Sequence, residues 1–421
     1  MPPGPGRGRS SLGTTSIFLF DTGPFQPLPG ISEGYRYSLL PFWGNACLVD
    51  FMIANFRAQG DGRDGRGEGW VREQGPRETE ITIVLEESQR STPVAFSARW
   101  KRPTARVVAF SDPLAELVPL VASSAAQGAI FASLSSVCVL DTPALLALAA
   151  GAEGRIIKLS VERTPIEMYA SSRETMLKLL RSLLDRRTDR RPLRECLFTD
   201  GLLPSIDLIE EVPGAVLFQN DLMQFYRQNL WLLDNCASER FLKIIARLPE
   251  LSDRGVESRI AEKGYARNSW LGSGVEVEGQ VESSILFPNV HIKKNTLVSH
   301  SIVMNGNRIG SGGEIHTTLV LPFSAELPRA APNIGDNCSI GSKSSVMKNS
   351  DFPEQIRDGL TVVGMDAEIP AGLRIEPGAC IGPGVPASLL RKMKLVKKGS
   401  SVFKPHSDEP EAREENGRGR R

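Results

Sequence analysis

The chain has almost no surplus of charge: Lys and Arg total 50 and Asp and Glu total 49 over 421 residues. A balanced chain has no electrostatic reason to seek nucleic acid or an anionic membrane surface, so neither is expected as a partner. Cysteine is scarce as well. Cys47, Cys138, Cys196, Cys236, Cys338 and Cys380 are scattered and form no C-x-x-C pair, which argues against a zinc site or a disulfide framework and fits a reducing compartment. No apolar run approaches the length of a membrane span, and the Pro/Gly/Arg-rich N-terminus lacks the apolar centre of a signal peptide. These absences predict a cytoplasmic protein. Hydrophobic residues at 41% and charged residues at 24% are ordinary, and the length leaves room for two or three domains with a large core.

What the chain does have is a repeat. Val281, Val298 and Ile315 are spaced by 17, as are Ile285, Ile302 and Leu319, and Ser284, Ser301 and Thr318. Ile292 pairs with Ile309 at the same step. Further on the step shortens to 6, through Ile334, Ile340 and Val346 and then Val363, Ile369, Ile375 and Ile381, with Gly372, Gly378 and Gly384 on the same beat. Such a beat, grouped into coils of about 18 residues, predicts a parallel β-helix in which each short strand points one aliphatic residue inward. Corners need residues that tolerate unusual φ, hence the recurring Gly, Asn and Ser. No coil buries its apolar face alone, so coils must stack.

Before the repeat, apolar runs at Ser16–Phe20, Ile81–Leu85, Ala105–Phe110, Gly128–Phe131, Val137–Leu140 and Arg155–Leu159 read as buried strands. They alternate with helical patterns at Asp50–Gln59, Asp112–Ala126, Thr142–Ala150, Ser171–Asp185 and Gln219–Asn235. Strand and helix in alternation predict an α/β domain with a mostly parallel sheet. The expected organisation is a disordered tail at 1–13, an α/β domain at 14–240 with a flexible Gly- and charge-rich insertion at 59–80, and a linker at 241–269. A left-handed β-helix at 270–385 and a C-terminal segment and disordered tail at 386–421 complete it.

That layout resembles the sugar-nucleotide pyrophosphorylases, and in detail bacterial ADP-glucose pyrophosphorylase (glucose-1-phosphate adenylyltransferase). Leu39 to Asn55, with Pro41, Phe42, Gly44, Asn45, Asp50 and Phe51, is similar to that family's early Pro-Phe-Gly-Gly-Lys-Tyr-Arg-Ile-Ile-Asp-Phe motif. Val281 to Val290 is similar to its first β-helix coil, and Phe225-Tyr226-x-x-Asn229-Leu230 to the helix that closes its catalytic domain. The resemblance implies a Rossmann-like nucleotidyltransferase domain followed by a hexapeptide-repeat β-helix. The implied chemistry needs a Gly-rich phosphate loop, basic side chains against the phosphates and carboxylates holding Mg²⁺.

The sequence departs from the family at all three. In the phosphate loop only Gly23 remains, Pro24 removes an N–H donor, and the arginine is absent. The two family lysines become Tyr37 and Asn45. The metal motif aligns with Leu134 to Asp141, keeping Asp141 but placing Ser135 at a carboxylate position, and the second metal aspartate falls near Phe218. The resemblance therefore implies a non-catalytic or regulatory sister of the pyrophosphorylase in glycogen-type glucan synthesis. It would keep a vestigial pocket of Gly23, Pro41, Phe42, Gly44, Asn45, Asp50, Ser135 and Asp141, with no catalytic residue and no cofactor. An active nucleotidyltransferase with a remodelled site, which would need Mg²⁺, and a β-helix acyltransferase are the alternatives.

Each candidate also has a plain structural reading. Asp141 precedes Thr142-Pro143 and suits a helix cap; Asp50 suits a charge-paired helix start. His291, His300 and His316 show no shared coil position with a carboxylate, so structural roles are expected of them. The basic run Arg186–Arg191 reads as a solvated loop, and the run Arg391–Lys398 as a cap on the last coil or a contact with a neighbour. A homo-oligomer, or a hetero-oligomer with a catalytic pyrophosphorylase, is expected through 270–385. Strand alternation is read as placing Leu286 and Val303 outward and Ile285 and Ile302 in the core.

Overall fold

The computed structural model describes residues 14–21, 37–43, 46–56, 80–86, 105–186, 195–219, 221–235, 248, 256–324 and 331–405. The predicted tail at 1–13, nearly all of the insertion at 59–80, most of the early linker and the last residues lie outside them, as do Gly23, Gly44 and Asn45.

The first half is an α/β layer. Its strands are β1 (Thr15–Asp21), β2 (Glu80–Glu86), β3 (Arg106–Phe110), β4 (Gly128–Ser133), β5 (Ser136–Leu140), β6 (Ile156–Val161), β7 (Thr164–Ser172), β8 (Leu208–Glu211) and β9 (Gly214–Gln219). Seven of them form one sheet in the order β8-β6-β7-β4-β1-β2-β3. All run parallel except β7, which is antiparallel to both its neighbours. β5 and β9 pair antiparallel in a separate ribbon, which sets Phe218 opposite Val137. The helices are α1 (Leu48–Ala54), α2 (Pro113–Ser123), α3 (Thr142–Gly151), α4 (Arg173–Arg186) and α5 (Leu222–Asn235).

Local signals account for most of these. Asp112 accepts the Ala115 N–H at 3.4 Å with Pro113 at the first helical position, and Asp141 accepts the Ala144 N–H at 3.2 Å ahead of Pro143. Both caps satisfy a donor that a helix start leaves orphaned, and both prolines cost no hydrogen bond there. The helix expected at Asp50–Gln59 is shorter, Leu48–Ala54. The expected helix at Ser171–Asp185 starts two residues late, because β7 occupies Thr164–Ser172.

The second half is a parallel β-helix of three sheets. One runs from Tyr265–Arg267 to Leu395–Val396 in seven strands. Another runs from Trp270–Leu271 to Ser401–Val402, also in seven, and the third from Arg259–Ile260 to Arg308–Ile309 in four, continued by bridges at Ile334 and Ile369. Every pairing is parallel, and Val281, Val298, Ile315 and Ile340 stack in register. The coils thus extend beyond the expected 270 and 385 at both ends; strands of two or three residues there carry too little periodicity to be read.

The corners recur once per coil. Asn268, Ser283, His300 and Thr317 all have left-handed φ between 44 and 48°. Gly341 sits at φ 72°, and a Cβ there would lie 2.0 Å from the His316 carbonyl oxygen, so only glycine fits. The hydroxyl ladder closes the stack on its polar side: Ser301 N–H donates to Ser284 Oγ and Thr318 N–H to Ser301 Oγ, each at 3.1 Å.

Two expectations are overturned. Leu286, Val303 and Val320 point into the solenoid with Val281, Val298 and Ile292. Ile285, Ile302 and Leu319 point out, yet are fully buried, because the α/β domain covers that sheet. The alternation was right in period and inverted in phase, since an aliphatic on either side of this sheet is buried. Val346 continues the 6-residue beat in sequence but is 88% exposed. After Gly341 the chain leaves the coil and returns only at Thr361. This strap, residues 342–360, buries Ile356 and Leu360 in the core shared with the α/β domain. It is tied to the later coils by Asn349, whose Nδ2 donates to the Gly378 carbonyl at 2.9 Å, and by Ser350 N–H to the Gly399 carbonyl at 2.8 Å.

Candidate functional site

In an open α/β sheet, ligands bind beyond the carboxyl ends of the parallel strands. β1 delivers Asp21 to that edge and β4 delivers Ser133, while antiparallel β7 brings Glu167 alongside from the other direction. Three of the groups there form a chain: Ser133 Oγ donates to Ser135 Oγ at 2.8 Å, and Ser135 Oγ donates to Glu167 Oε2 at 2.7 Å. Asp21 is buried and accepts the Ser38 hydroxyl at 2.9 Å.

The other described sequence candidates lie on the elements around β5. Pro41 lies in a short strand, Pro41–Trp43, that pairs with Ala46–Cys47 and leads into α1. Phe42 is fully buried, edge-on to Phe51 at 5.3 Å and to Phe225 at 5.7 Å. Asp50 is fully buried as well, and its Oδ2 accepts the Cys47 N–H at 2.7 Å, closing the first turn of α1. Asn55 ends the helix and clamps β5: its Nδ2 donates to the Cys138 carbonyl at 2.7 Å and its Oδ1 accepts the Leu140 N–H at 2.9 Å. Ser135 and Asp141 flank β5 on its two sides. Ser135 and Asp141 therefore stand at opposite ends of that strand, and Pro41, Phe42 and Asp50 lie on the segment that Asn55 fastens to it. Phe42 and Asp50 hold the scaffold from within, Asp141 caps α3 in an exposed position, and Ser135 faces Glu167 at the edge.

Mg²⁺ is commonly held by only one or two carboxylates together with substrate phosphates; among the described residues no group of three Asp, Glu, His or Cys side chains converges on one point. Cys138 offers no thiolate, since complete burial pushes its thiol up to about 12.

The solenoid histidines correct the sequence reading. His291 Nε2 lies 3.1 Å from Glu278 and 3.6 Å from Glu276, its neighbour across the sheet. His316 Nδ1 is 2.6 Å from the Ser299 hydroxyl, and its Nε2 is 3.6 Å from Glu314. Both therefore have carboxylate partners, invisible in sequence because they lie on adjacent strands or two residues away on the same outward face. His300 sits at a corner in left-handed conformation and offers its carbonyl to Tyr226. The sequence does not single out Glu167 or Asp21: Asp21 closes the strand whose apolar part is Ser16–Phe20, and Glu167 lies inside Thr164–Ser172, a strand the sequence pattern does not announce.

Among the described residues no helix is long and apolar enough to cross a membrane. Residues 253–336 match the family described as GlmU-like, C-terminal hexapeptide. The glucose-1-phosphate adenylyltransferase of Acetivibrio thermocellus is 25% identical over 150 residues, 34% of this chain and 32% of that protein. That of Desulfitobacterium hafniense is 24% identical over 154 residues, 37% of this chain and 35% of the relative. A Bacillus cereus glucose-1-phosphate adenylyltransferase is 36% identical over 61 residues, 14% and 16% of the two chains. The match thus spans about a third of the length of the longer-matching relatives. It supports a likeness to the sugar-nucleotide pyrophosphorylases, with a hexapeptide-repeat half.

Proposed function

We propose that the chain is a non-catalytic, regulatory homologue of glucose-1-phosphate adenylyltransferase in glucan synthesis. It acts by binding a partner subunit, with a sugar phosphate or a nucleotide as the class of small ligand. The observation that carries this reading is Ser135. It stands where the resemblance puts a metal carboxylate, and its hydroxyl donates to Glu167 at 2.7 Å. The phosphate loop, reduced to Gly23 and interrupted by Pro24, and the lysine positions held by Tyr37 and Asn45 point the same way. Loss of metal and oxyanion contacts removes several kcal/mol of transition-state stabilisation, on the order of a hundredfold or more in rate.

An active enzyme with a remodelled site is the second reading, favoured by two carboxylates, Asp21 and Glu167, on the ligand-facing edge. One assay separates them. The purified chain is incubated with ATP, glucose 1-phosphate and Mg²⁺, and pyrophosphate is measured. The regulatory reading expects none from the chain alone, and a changed rate or effector response when it is added to a catalytic pyrophosphorylase from the same cell. Turnover by the chain alone within about a hundredfold of an ordinary kcat would favour the active enzyme.

A further inference from the structure

The last coil of the solenoid is strongly basic. Residues 386–405 hold Arg391, Lys392, Lys394, Lys397, Lys398 and Lys404 and not one Asp or Glu. All six cations are exposed. Exposed Lys348, on the strap, joins them, because its carbonyl lies against Gly399. Glu376 reaches this surface, accepting the Lys398 N–H at 3.1 Å and facing Arg374 at 3.6 Å, and exposed Asp351 follows Ser350 on the strap.

The same coil ends two sheets. Leu395–Val396 pairs on its inner side with Arg374–Ile375, and Ser401–Val402 with Cys380–Ile381. Among the described residues neither strand has a partner on its outer side. An unpaired edge offers a row of backbone donors and acceptors. Met393, Leu395 and Phe403, 39%, 41% and 43% exposed, stand beside it as apolar footholds.

We propose that this end of the solenoid docks an extended acidic peptide segment of a partner protein, added edge-on as a further strand. Charge complementarity selects the acid, and the open backbone edge selects a peptide over other polyanions, which have no matching row of amides. The inference is independent of the function proposed above. It gives the docking event a route inward, since the strap touches the last coil through Asn349 and Ser350 and the α/β domain through Ile356, Leu360 and Arg357.

The test uses the full chain and three fluorescent probes: an alternating Glu/Val peptide, a Glu/Pro peptide of equal charge that lacks alternate N–H groups, and a single-stranded oligothymidylate. The Glu/Val peptide should bind saturably, and at least about tenfold more tightly than the other two. The surface variant K394Q/K397Q/K398Q, checked for an unchanged melting curve, should lose about tenfold or more. No saturable binding, equal binding of the Glu/Pro peptide or the oligonucleotide, or an unaffected variant would each overturn the proposal. So would a variant that merely self-associates, because the lysines would then serve only to keep edges apart.

Discussion

The hydroxyl of Tyr226, on α5, donates to the carbonyl oxygen of His300 in the solenoid at 2.5 Å. Burial pushes the Tyr226 phenol well above its usual range, so it stays a donor across the physiological span. Around this bond the two halves share one apolar core: Phe42, Leu222, Phe225 and Leu232 from the α/β side, Ile285, Phe287, Ile302, Met304 and Leu319 from the coils. Arg357 pairs with Asp221 at 3.0 Å, and Arg227 with Asp358. These pairs are partly exposed and worth little, so the core and the buried bond carry the attachment.

Tyr226→Phe should therefore cost about 1 kcal/mol, because the His300 carbonyl loses its donor in a partly buried setting. Calorimetry should show a single transition moved down as a unit. A shift confined to one of two resolved transitions would mean the halves melt separately.

Ile302→Asp tests the covered face. A charge buried between the halves without a partner should destabilise by about 3 kcal/mol or more and split the melting profile in two. Leu286→Ala, inside the solenoid, should cost about 2–5 kcal/mol without splitting it. Association that weakens for Leu286→Ala at full stability, measured by light scattering, would restore the outward assignment.

Ser135→Asp should not create pyrophosphorylase activity. It sets a second carboxylate against Glu167, and like charges in a buried site raise one another's pKa. We expect a loss of about 1–3 kcal/mol near neutral pH, partly recovered on acidification as one carboxyl takes a proton. Urea midpoints at two pH values read this; a stabilised variant would show that a cation fills the site.

His316 sets a pH dependence. Burial holds its imidazole below the ordinary range, with Lys343 and His300 pressing the same way and Glu314 opposing. As pH falls through about 6.5 the unfolded chain takes up this proton first. Stability is then lost toward the lowered folded value and the loss levels off below it. His316→Asn, which can still meet the Ser299 hydroxyl, should flatten that part of the curve, and an unchanged slope between about pH 7.5 and 5.5 would exclude the assignment.

The sequence made the solenoid legible because Val281, Val298 and Ile315 had to repeat for coils to stack, and their spacing survives as arithmetic. It hid which of Ile285 and Leu286 points inward, because both neighbours are aliphatic when a second domain lies on the sheet. The strand Thr164–Ser172 also escaped, since an antiparallel insertion in a parallel sheet breaks the alternation that announces it. At the candidate site, Asp141 and Asp50 were readable as helix starts from the residues around them. Glu167 was not, because its link to Ser135 spans 32 residues and joins the middle of one strand to a turn between two others, which only the sheet brings together.

The shared core has a consequence for biosynthesis. Translation delivers the α/β half first, with Phe225, Leu222 and Leu232 complete before any of their partners from Ile285 onward exists. Until several coils have left the ribosome, the nascent domain carries a greasy flank with nothing to lie on. It should be a client for holding factors at that stage and should reach its final compactness only after termination, even though its sheet is made early.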